Sequence, residues 1–115
     1  MTTLKRNTDF RRLYARGNSY ANPALVTYFM RNRAGICRIG ITTSKKIGNA
    51  VERNRSRRLI RAAFQNVYRE YEESLNGYDI VFVARGRTRH RKSYDLEKIM
   101  VEHLRKGGIL PEQKG

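Results

Sequence analysis

One stretch of the chain concentrates side chains that can bind phosphate. Residues 45–61 read KKIGNAVERNRSRRLIR and contain seven lysines and arginines against a single carboxylate, Glu52. A guanidinium group is planar and carries a fork of N–H donors that fits the oxygens of a phosphate. The chemistry that this stretch can do is therefore the binding and positioning of a polyanion.

Wound as an α-helix at about 100° per residue, the basic stretch separates into two faces. The apolar arc holds Leu59, Ile60, Ala63, Phe64 and Val67. The opposite arc holds Asn54, Arg57, Arg58 and Arg61, with Arg55 at its far edge and Arg53 near the boundary. We call the set Arg53, Asn54, Arg55, Arg57, Arg58 and Arg61 the arginine stripe.

A run of charge on a helix is most often a solvated face. Such a face normally mixes signs, because opposite charges four residues apart stabilise a helix and like charges destabilise it. The arginine stripe has nearly one sign only, so a bound polyanion is the simpler explanation. Lys45, Lys46 and Gly48 precede the helix, whose free N-terminal N–H groups are predicted to add a second phosphate site.

The composition of the whole chain agrees with a polyanionic partner. The 115 residues include 25 lysines and arginines against 10 acidic residues, a formal net charge of +15. A protein this basic repels itself unless nucleic acid, an anionic membrane surface or an acidic protein neutralises it. Arginine outnumbers lysine, which favours nucleic acid, because the guanidinium grips phosphate and stacks on bases.

Cysteine content and hydropathy predict a cytoplasmic protein. Cys37 is the only cysteine, so no disulfide can form within the chain, and it alternates with Ile39 and Ile41 as a buried apolar residue would. The start of the sequence lacks the apolar stretch of a signal peptide. No window approaches the ~18 apolar residues of a membrane span, and no membrane partner is expected.

The rest of the chain predicts the elements that position the stripe. We expect a short helix carrying Phe10, Leu13 and Tyr14 on one face, and a long helix capped by Asn49 and ending near residue 73. The predicted strands are residues 25–30, 36–42 and 78–84, with a possible extra short strand near 19–22. Residues 31–35 look like a hairpin loop between the first two strands.

A basic loop over residues 85–92 and a last helix from Ser93, with His103 on its apolar face, complete the chain. The order α-β-β-α-β-α predicts an α+β two-layer sandwich with a small mixed sheet. We expect one RNA-binding domain over residues 1–115, with frayed ends at 1–7 and 108–115. If the strands around the long helix are parallel, their crossover is right-handed by default.

With its flanks, the basic stretch resembles the protein subunit of bacterial ribonuclease P. The landmarks are N-x-D-F near the start, a tyrosine in the first long strand, IGITTSKK before the basic helix and YDIVFVAR after it. The resemblance spans about residues 7 to 104. Two departures are TTSKK in place of a commoner Ser-rich loop, and a short arm before Phe10.

The resemblance implies a function. The protein would assist a catalytic RNA that removes the 5′ leader from precursor tRNA, with hydrolysis performed by the RNA and its Mg²⁺ ions. It implies no catalytic side chain, no cofactor or metal bound by the protein alone, and no required protein oligomer. It also implies a left-handed crossover, against the default.

The resemblance assigns roles to individual residues. Lys45, Lys46 and the arginine stripe would bind the catalytic RNA. Phe10, Tyr14 and Tyr28 would bind the leader, since aromatic faces stack single-stranded bases with little sequence preference. We call these three residues the aromatic cluster, and core packing is the alternative for each. Weaker phosphate contacts are expected from Arg11, Arg38, Arg85, Arg87, Arg89 and Arg91.

Three other functions compete with this one. A protein-only nuclease needs clustered carboxylates or metal-ligating histidines and cysteines, whereas the ten acidic residues are scattered and Asp79 is expected to pair with an arginine. A DNA-reading helix mixes Asn, Gln and Arg to read base edges, so DNA is not an expected partner. A ribosomal RNA-binding protein of similar fold is the alternative that stays open.

Overall fold

The computed structural model describes residues 1–112. Its helices are α1 (Asn7–Arg16), α2 (Ala50–Leu75) and α3 (Ser93–Lys106). Its strands are β1 (Thr2–Thr3), β2 (Asn18–Asn22), β3 (Leu25–Arg31), β4 (Arg38–Thr42) and β5 (Tyr78–Ala84). The predicted α+β class is confirmed, and the possible extra strand near 19–22 is β2.

The five strands form one mixed sheet in the order β1-β4-β5-β3-β2. β5 pairs parallel with β4 and antiparallel with β3, so it lies between the two strands predicted to form a hairpin. The hairpin prediction is wrong because β5 is apolar on both faces and takes the centre of the sheet, where both faces are covered. Helix α2 joins β4 to β5, and the left-handed sense of this crossover stays a prediction.

Helices lie on both faces of the sheet. Because successive strand residues point to opposite sides, Ile80 and Phe82 of β5 join the large core under α2 and α3, while Val81 packs with Leu13 of α1. Helix α1 therefore adds a partial third layer to the two-layer sandwich. Phe10 and Tyr28, which the resemblance assigns to the leader, pack on this α1 side of the sheet.

Helix α2 begins at a complete capping box. Asn49 Oδ1 accepts from the Glu52 backbone N–H at 2.9 Å, and Glu52 Oε1 accepts from the Asn49 N–H at 3.3 Å. Gly48 precedes the cap with φ 142°, a conformation that strains any residue with a side chain. Ile60 and Phe64 are fully buried, so the predicted apolar arc is confirmed and the arginine stripe faces outward.

The N-terminal residues are built into the sheet, which differs from the predicted fraying of residues 1–7. Strand β1 pairs parallel with β4, and the Leu4 N–H donates to the Ile39 carbonyl at 2.7 Å. The Leu4 side chain is 5% exposed and packs in the smaller core. A single apolar residue in a short polar segment gave too weak a signal to predict this strand.

The residues after α3 also pack against the core, contrary to the predicted frayed tail at 108–115. Gly108 has φ 80° and turns the chain back. Ile109 and Leu110 are then buried in the large core, with 7% and 3% exposure. Residues 113–115 of the predicted tail lie outside the described residues.

The buried carboxylate of Asp79, on β5, links β4 to the residue that follows β3. Arg38 donates to Asp79 through Nε at 2.7 Å and Nη2 at 2.8 Å, and Asn32 Nδ2 donates to it at 2.8 Å. Hydrogen bonding to Asp79 raises the pKa of Arg38. The predicted pairing of Asp79 with an arginine is confirmed, and two donor nitrogens of Arg38 are committed to it.

We expect Asp79→Ala to lower the free energy of unfolding by about 1–3 kcal/mol, since it leaves the half-buried Arg38 and the Asn32 amide without their acceptor. Urea denaturation measures the loss. Asp9→Ala is the matched control, because Asp9 pairs at 3.0 Å with Arg12 on the surface and should contribute less than about 1 kcal/mol. Equal losses from the two variants would contradict a buried ion pair at Asp79.

His103 is buried on the inner face of α3. It is 4% exposed, its Nδ1 lies 2.8 Å from Thr27 Oγ1, and its ring stacks on Tyr20 with centroids 6.1 Å apart. Burial lowers the pKa of His103 below its ordinary value, Glu102 opposes the shift and Lys106 adds to it. The neutral imidazole is therefore the form that the fold favours.

We expect the folded protein to lose stability as the pH falls below about 6.5, the unfolded pKa of histidine. Above that pH both states hold a neutral His103, so its contribution is complete. On acidification the unfolded chain takes up the proton first, and the contribution is lost as the pH falls through the lower folded pKa. Urea denaturation between about pH 7.5 and pH 5 measures this slope.

His103→Gln should flatten the pH dependence of the free energy of unfolding. His90 is the other histidine of the chain and is exposed. His90→Gln is the parallel variant, and its effect on the slope should be smaller than that of His103→Gln because only His103 is buried. If the free energy of unfolding of His103→Gln still falls with pH as in the wild type, groups other than His103 cause the pH dependence.

Candidate nucleic-acid interface

The arginine stripe lies along the outer face of the first half of α2. Asn54, Arg55, Arg58 and Arg61 are exposed, and Arg53 and Arg57 are half-buried. Within residues 1–112, the ion pairs involve Arg12, Arg38, Arg89 and Lys106, and none involves the stripe. The stripe therefore presents positive charge without carboxylates to balance it, which favours a polyanionic ligand.

Hydrogen bonds to the protein hold three of the stripe arginines in place. Arg53 Nη1 donates to the Gly48 carbonyl at 3.1 Å, and Arg57 Nη2 donates to Thr43 Oγ1 at 2.8 Å. Arg55 Nε donates to the Arg89 carbonyl at 3.3 Å. Each contact uses one nitrogen of a guanidinium group and leaves other donors for a ligand. Fixing the side chains beforehand reduces the entropy lost on binding.

At the N-terminus of α2 a capping box occupies part of the second phosphate site predicted from the free N–H groups, and phosphate binding there stays a prediction. The Glu52 carboxylate turns back on the first turn of the helix and accepts from the Asn49 N–H. It places a negative charge where the phosphate was expected. Lys45 and Lys46 are exposed just before this turn, so a phosphate contact here would come from their side chains.

The basic loop at residues 85–92 docks beside the start of the stripe. Arg89 Nε forms an ion pair with Glu52 at 3.0 Å, and Arg89 Nη1 donates to the Ile47 carbonyl. Arg89 therefore fastens the loop to α2, and its Nε and Nη1 are used there. Arg85, Arg87 and Arg91 are exposed, and their phosphate contacts stay predictions.

The aromatic cluster comes together between α1 and the sheet. The Tyr14 and Tyr28 rings meet edge to face with centroids 5.0 Å apart, and the Phe10 and Tyr14 centroids are 6.5 Å apart. The Tyr14 hydroxyl lies 2.6 Å from Thr42 Oγ1, which links α1 to β4. Tyr14 is 41% exposed, so its ring is accessible to a ligand. Phe10 and Tyr28 are half-buried and support it.

Gly40 is a site residue that sequence reasoning missed. A Cβ at this position would lie 2.6 Å from the Phe10 ring. Only glycine lets the ring lie this close to the strand. A glycine inside a strand signals such a close approach, so the sequence carried the clue but not the identity of the approaching group.

A groove joins the aromatic cluster to the arginine stripe. It has a volume of about 470 Å³ and runs between α1, the edge of β4 and α2, with Phe10, Arg11, Tyr14 and Arg57 among its lining residues. Arg57 also lines a shallow surface pocket with Asn54, Arg58 and Arg61. Phe10 and Tyr14 of the aromatic cluster and four residues of the arginine stripe therefore line adjoining depressions that meet at Arg57, whereas Tyr28, Arg53 and Arg55 line neither.

This surface can bind phosphates and stack bases. Within residues 1–112, no three His, Cys, Asp or Glu side chains come together as a metal site would require. No helix in the same range has the length and hydropathy of a membrane span. The chemistry that the surface itself offers is recognition of a single-stranded or folded nucleic acid.

Sequence comparison identifies close relatives. The ribonuclease P family model matches residues 1–107. A ribonuclease P protein component of Clostridium botulinum (strain Langeland) is 41% identical over 106 residues, which cover 92% of this chain and 94% of the relative. The ribonuclease P protein component of Clostridioides difficile (strain 630) is 44% identical over 96 residues, covering 83% and 82%.

Solved structures share the fold. The RNase P protein of Staphylococcus aureus matches with a TM-score of 0.78 at 29% identity, covering 96% of this chain and 99% of that one. The RNase P protein of Thermotoga maritima matches with a TM-score of 0.71 at 23% identity, a likeness of fold, over 89% of this chain and 94% of that one. With the family model spanning residues 1–107, the chain belongs to the ribonuclease P protein family.

Proposed function

We propose that this protein binds the catalytic RNA of ribonuclease P through the arginine stripe and the 5′ leader of precursor tRNA through the aromatic cluster. In this assignment the RNA cuts the phosphodiester bond that releases the leader. The observation that carries the proposal is the continuity of the two surfaces at Arg57. A protein of this shape can hold two RNA segments side by side.

The arginine stripe suits the backbone of a folded RNA. The deep groove of A-form RNA hides base edges from side chains, so proteins recognise such helices mainly through phosphates and shape. Stripe residues 53 to 61 extend over about 12 Å of helix axis. An almost uniform row of guanidinium groups over that length binds backbone phosphates without reading sequence.

The aromatic cluster suits a single strand. Base stacking on an aromatic ring contributes about 1–3 kcal/mol per base and tolerates any sequence. Tyr14 is the exposed ring, and Arg11 and Arg57 lie in the same groove where they can contact the phosphates of a stacked strand. Leaders of varied sequence could therefore bind in one register.

We assign the catalytic Mg²⁺ ions to the RNA. Mg²⁺ is usually held by carboxylates together with substrate phosphates. Several carboxylates of this chain are already used in ion pairs, among them Asp79 with Arg38, Glu52 with Arg89 and Glu102 with Lys106. The protein's contribution is to position RNA and to neutralise phosphate charge, which lowers the Mg²⁺ concentration that the complex needs.

Reconstitution tests the proposal directly. The protein is mixed with its candidate catalytic RNA and a precursor tRNA at low Mg²⁺, and the 5′ cut is expected only when both protein and RNA are present. Metal-dependent cleavage by the protein alone would contradict the assignment of catalysis to RNA. Co-purification with ribosomal RNA instead of one RNA of a few hundred nucleotides would favour the ribosomal alternative.

Removing two stripe arginines should weaken assembly with the catalytic RNA. We expect Arg58→Ala with Arg61→Ala to flatten the log–log salt dependence of the dissociation constant by about 0.7–0.9 for each lost phosphate contact. Filter binding across a range of salt concentrations measures the slope. Lys98→Ala with Lys106→Ala, on α3, is the control that removes the same charge. An equal change of slope in the control would mean that net charge, not the stripe, binds the RNA.

Truncating the exposed ring of the aromatic cluster should affect the leader alone. We expect Tyr14→Ala to weaken holoenzyme binding of leader-bearing precursor tRNA by about 1–3 kcal/mol, the value of one lost stack. Binding of mature tRNA and of the catalytic RNA should stay unchanged. Tyr94→Ala on α3, where the ring is 61% exposed, is the matched control. Equal losses for precursor and mature tRNA would refute the leader assignment.

A further inference from the structure

The groove beside the aromatic cluster continues into a second cavity. This cavity has a volume of about 290 Å³ and lies between the β1–β4 edge of the sheet and α2. Phe10, Ile41 and Arg57 line both the groove and the cavity, so the two compartments adjoin at these residues. Phe10 of the aromatic cluster and Arg57 and Arg61 of the arginine stripe reach its walls, but the roles given to those two sets leave Met1, Leu4 and Gln65 without a function.

The walls of the second cavity differ in chemistry. The sheet side is apolar and includes Met1, Leu4, Ile39 and Ile41. The α2 side presents Arg57, Arg61 and Gln65, spaced four residues apart and therefore stacked along one face of the helix. Gln65 is exposed, so its amide is open to a ligand. We call this cavity the Gln65 pocket.

We propose that the Gln65 pocket binds one unstacked nucleotide of single-stranded RNA. The inference rests on the proposed function, because the groove leading to the pocket is the one assigned to the leader. It adds a base-recognition site beyond the aromatic cluster. The occupant is identified by three features of the lining: an apolar wall, an amide and two guanidinium groups.

Each feature of the lining matches one part of a nucleotide. Ligand pockets are mostly apolar with a few convergent polar groups, and the Leu4 and Ile41 side chains supply the apolar surface against which a base can lie. A glutamine amide offers one acceptor and two donor hydrogens. This combination pairs with the edge of adenine in particular. Arg57 and Arg61 lie where the flanking phosphates of the same strand would pass.

The volume and charge of the pocket argue for this occupant over other ligands. Its volume of about 290 Å³ lies just below the roughly 300–1,000 Å³ range of small-molecule sites, which suits a single nucleotide. Two cations on the rim disfavour a basic peptide, and the amide would lose hydrogen bonds beside an aliphatic ligand. The pocket depends on β1, since Leu4 and Met1 belong to the segment that pairs with β4.

Titration of the full-length protein with adenosine 5′-monophosphate, followed by NMR, tests the proposal. Inorganic phosphate is the parallel probe. We expect the nucleotide to shift the side-chain amide signal of Gln65, and phosphate to shift only arginine signals. Gln65→Leu, which removes the amide at similar volume, should weaken nucleotide binding about tenfold, within the range expected for a bidentate amide–adenine contact.

Asn66→Leu is the matched control for Gln65→Leu. Asn66 is the next residue on α2 and is also exposed, but its amide donates to Glu97 of α3 at 3.2 Å, away from the pocket. It should leave nucleotide binding unchanged. Identical responses to the nucleotide and to phosphate, or equal binding by the wild type and Gln65→Leu, would overturn the proposal.

Affinity for the catalytic RNA separates this proposal from the proposed function. Gln65→Leu should bind that RNA as the wild type does, because the stripe is intact. Normal RNA binding without a nucleotide response at Gln65 would refute the pocket and leave the proposed function standing. Failure of the wild-type protein to bind the catalytic RNA would refute the proposed function, whether or not adenosine 5′-monophosphate binds.

Discussion

The binding surface depends on a helix that holds like charges together because its other side is buried. Repulsion between like charges four residues apart destabilises a helix by a few tenths of a kcal/mol per pair. Full burial of a side chain such as Ile60 or Phe64 stabilises the fold by about 1.5–3 kcal/mol. The buried side therefore outweighs the repulsion, and the arginine stripe persists in the free protein.

The distribution of carboxylates completes this arrangement. Asp79 pairs with Arg38 beneath α1, and Glu52 closes the first turn of α2 while it holds Arg89. Glu102 pairs with Lys106 on α3. These negative charges stabilise the fold at positions where they do not pair with the stripe. The five arginines of the stripe consequently keep a positive charge that no carboxylate of residues 1–112 pairs with.

Local patterns predicted the parts of this molecule that depend on neighbours in sequence. The apolar arc of α2, the Asn49 cap and the burial of Cys37 follow from spacing within one element, and each is confirmed. The hairpin prediction failed because the strand that is apolar on both faces takes the centre of the sheet. Identifying that strand requires a comparison of segments that are distant in sequence. Leu4 and Gly40 were missed because the signal at each is a single residue whose partner is remote.

The arginine stripe and the groove beside it also differ in whether they depend on neighbours in sequence or on distant segments. The arginine stripe is local, since consecutive turns of one helix build it, and a bare row of guanidinium groups would bind almost any RNA backbone. The groove and the Gln65 pocket exist only because the sheet order brings α1, the edge of β4 and α2 together around Arg57. In the proposed function, selectivity among RNA segments therefore comes from tertiary structure, while most of the affinity comes from a stretch of sequence that can be recognised by its composition.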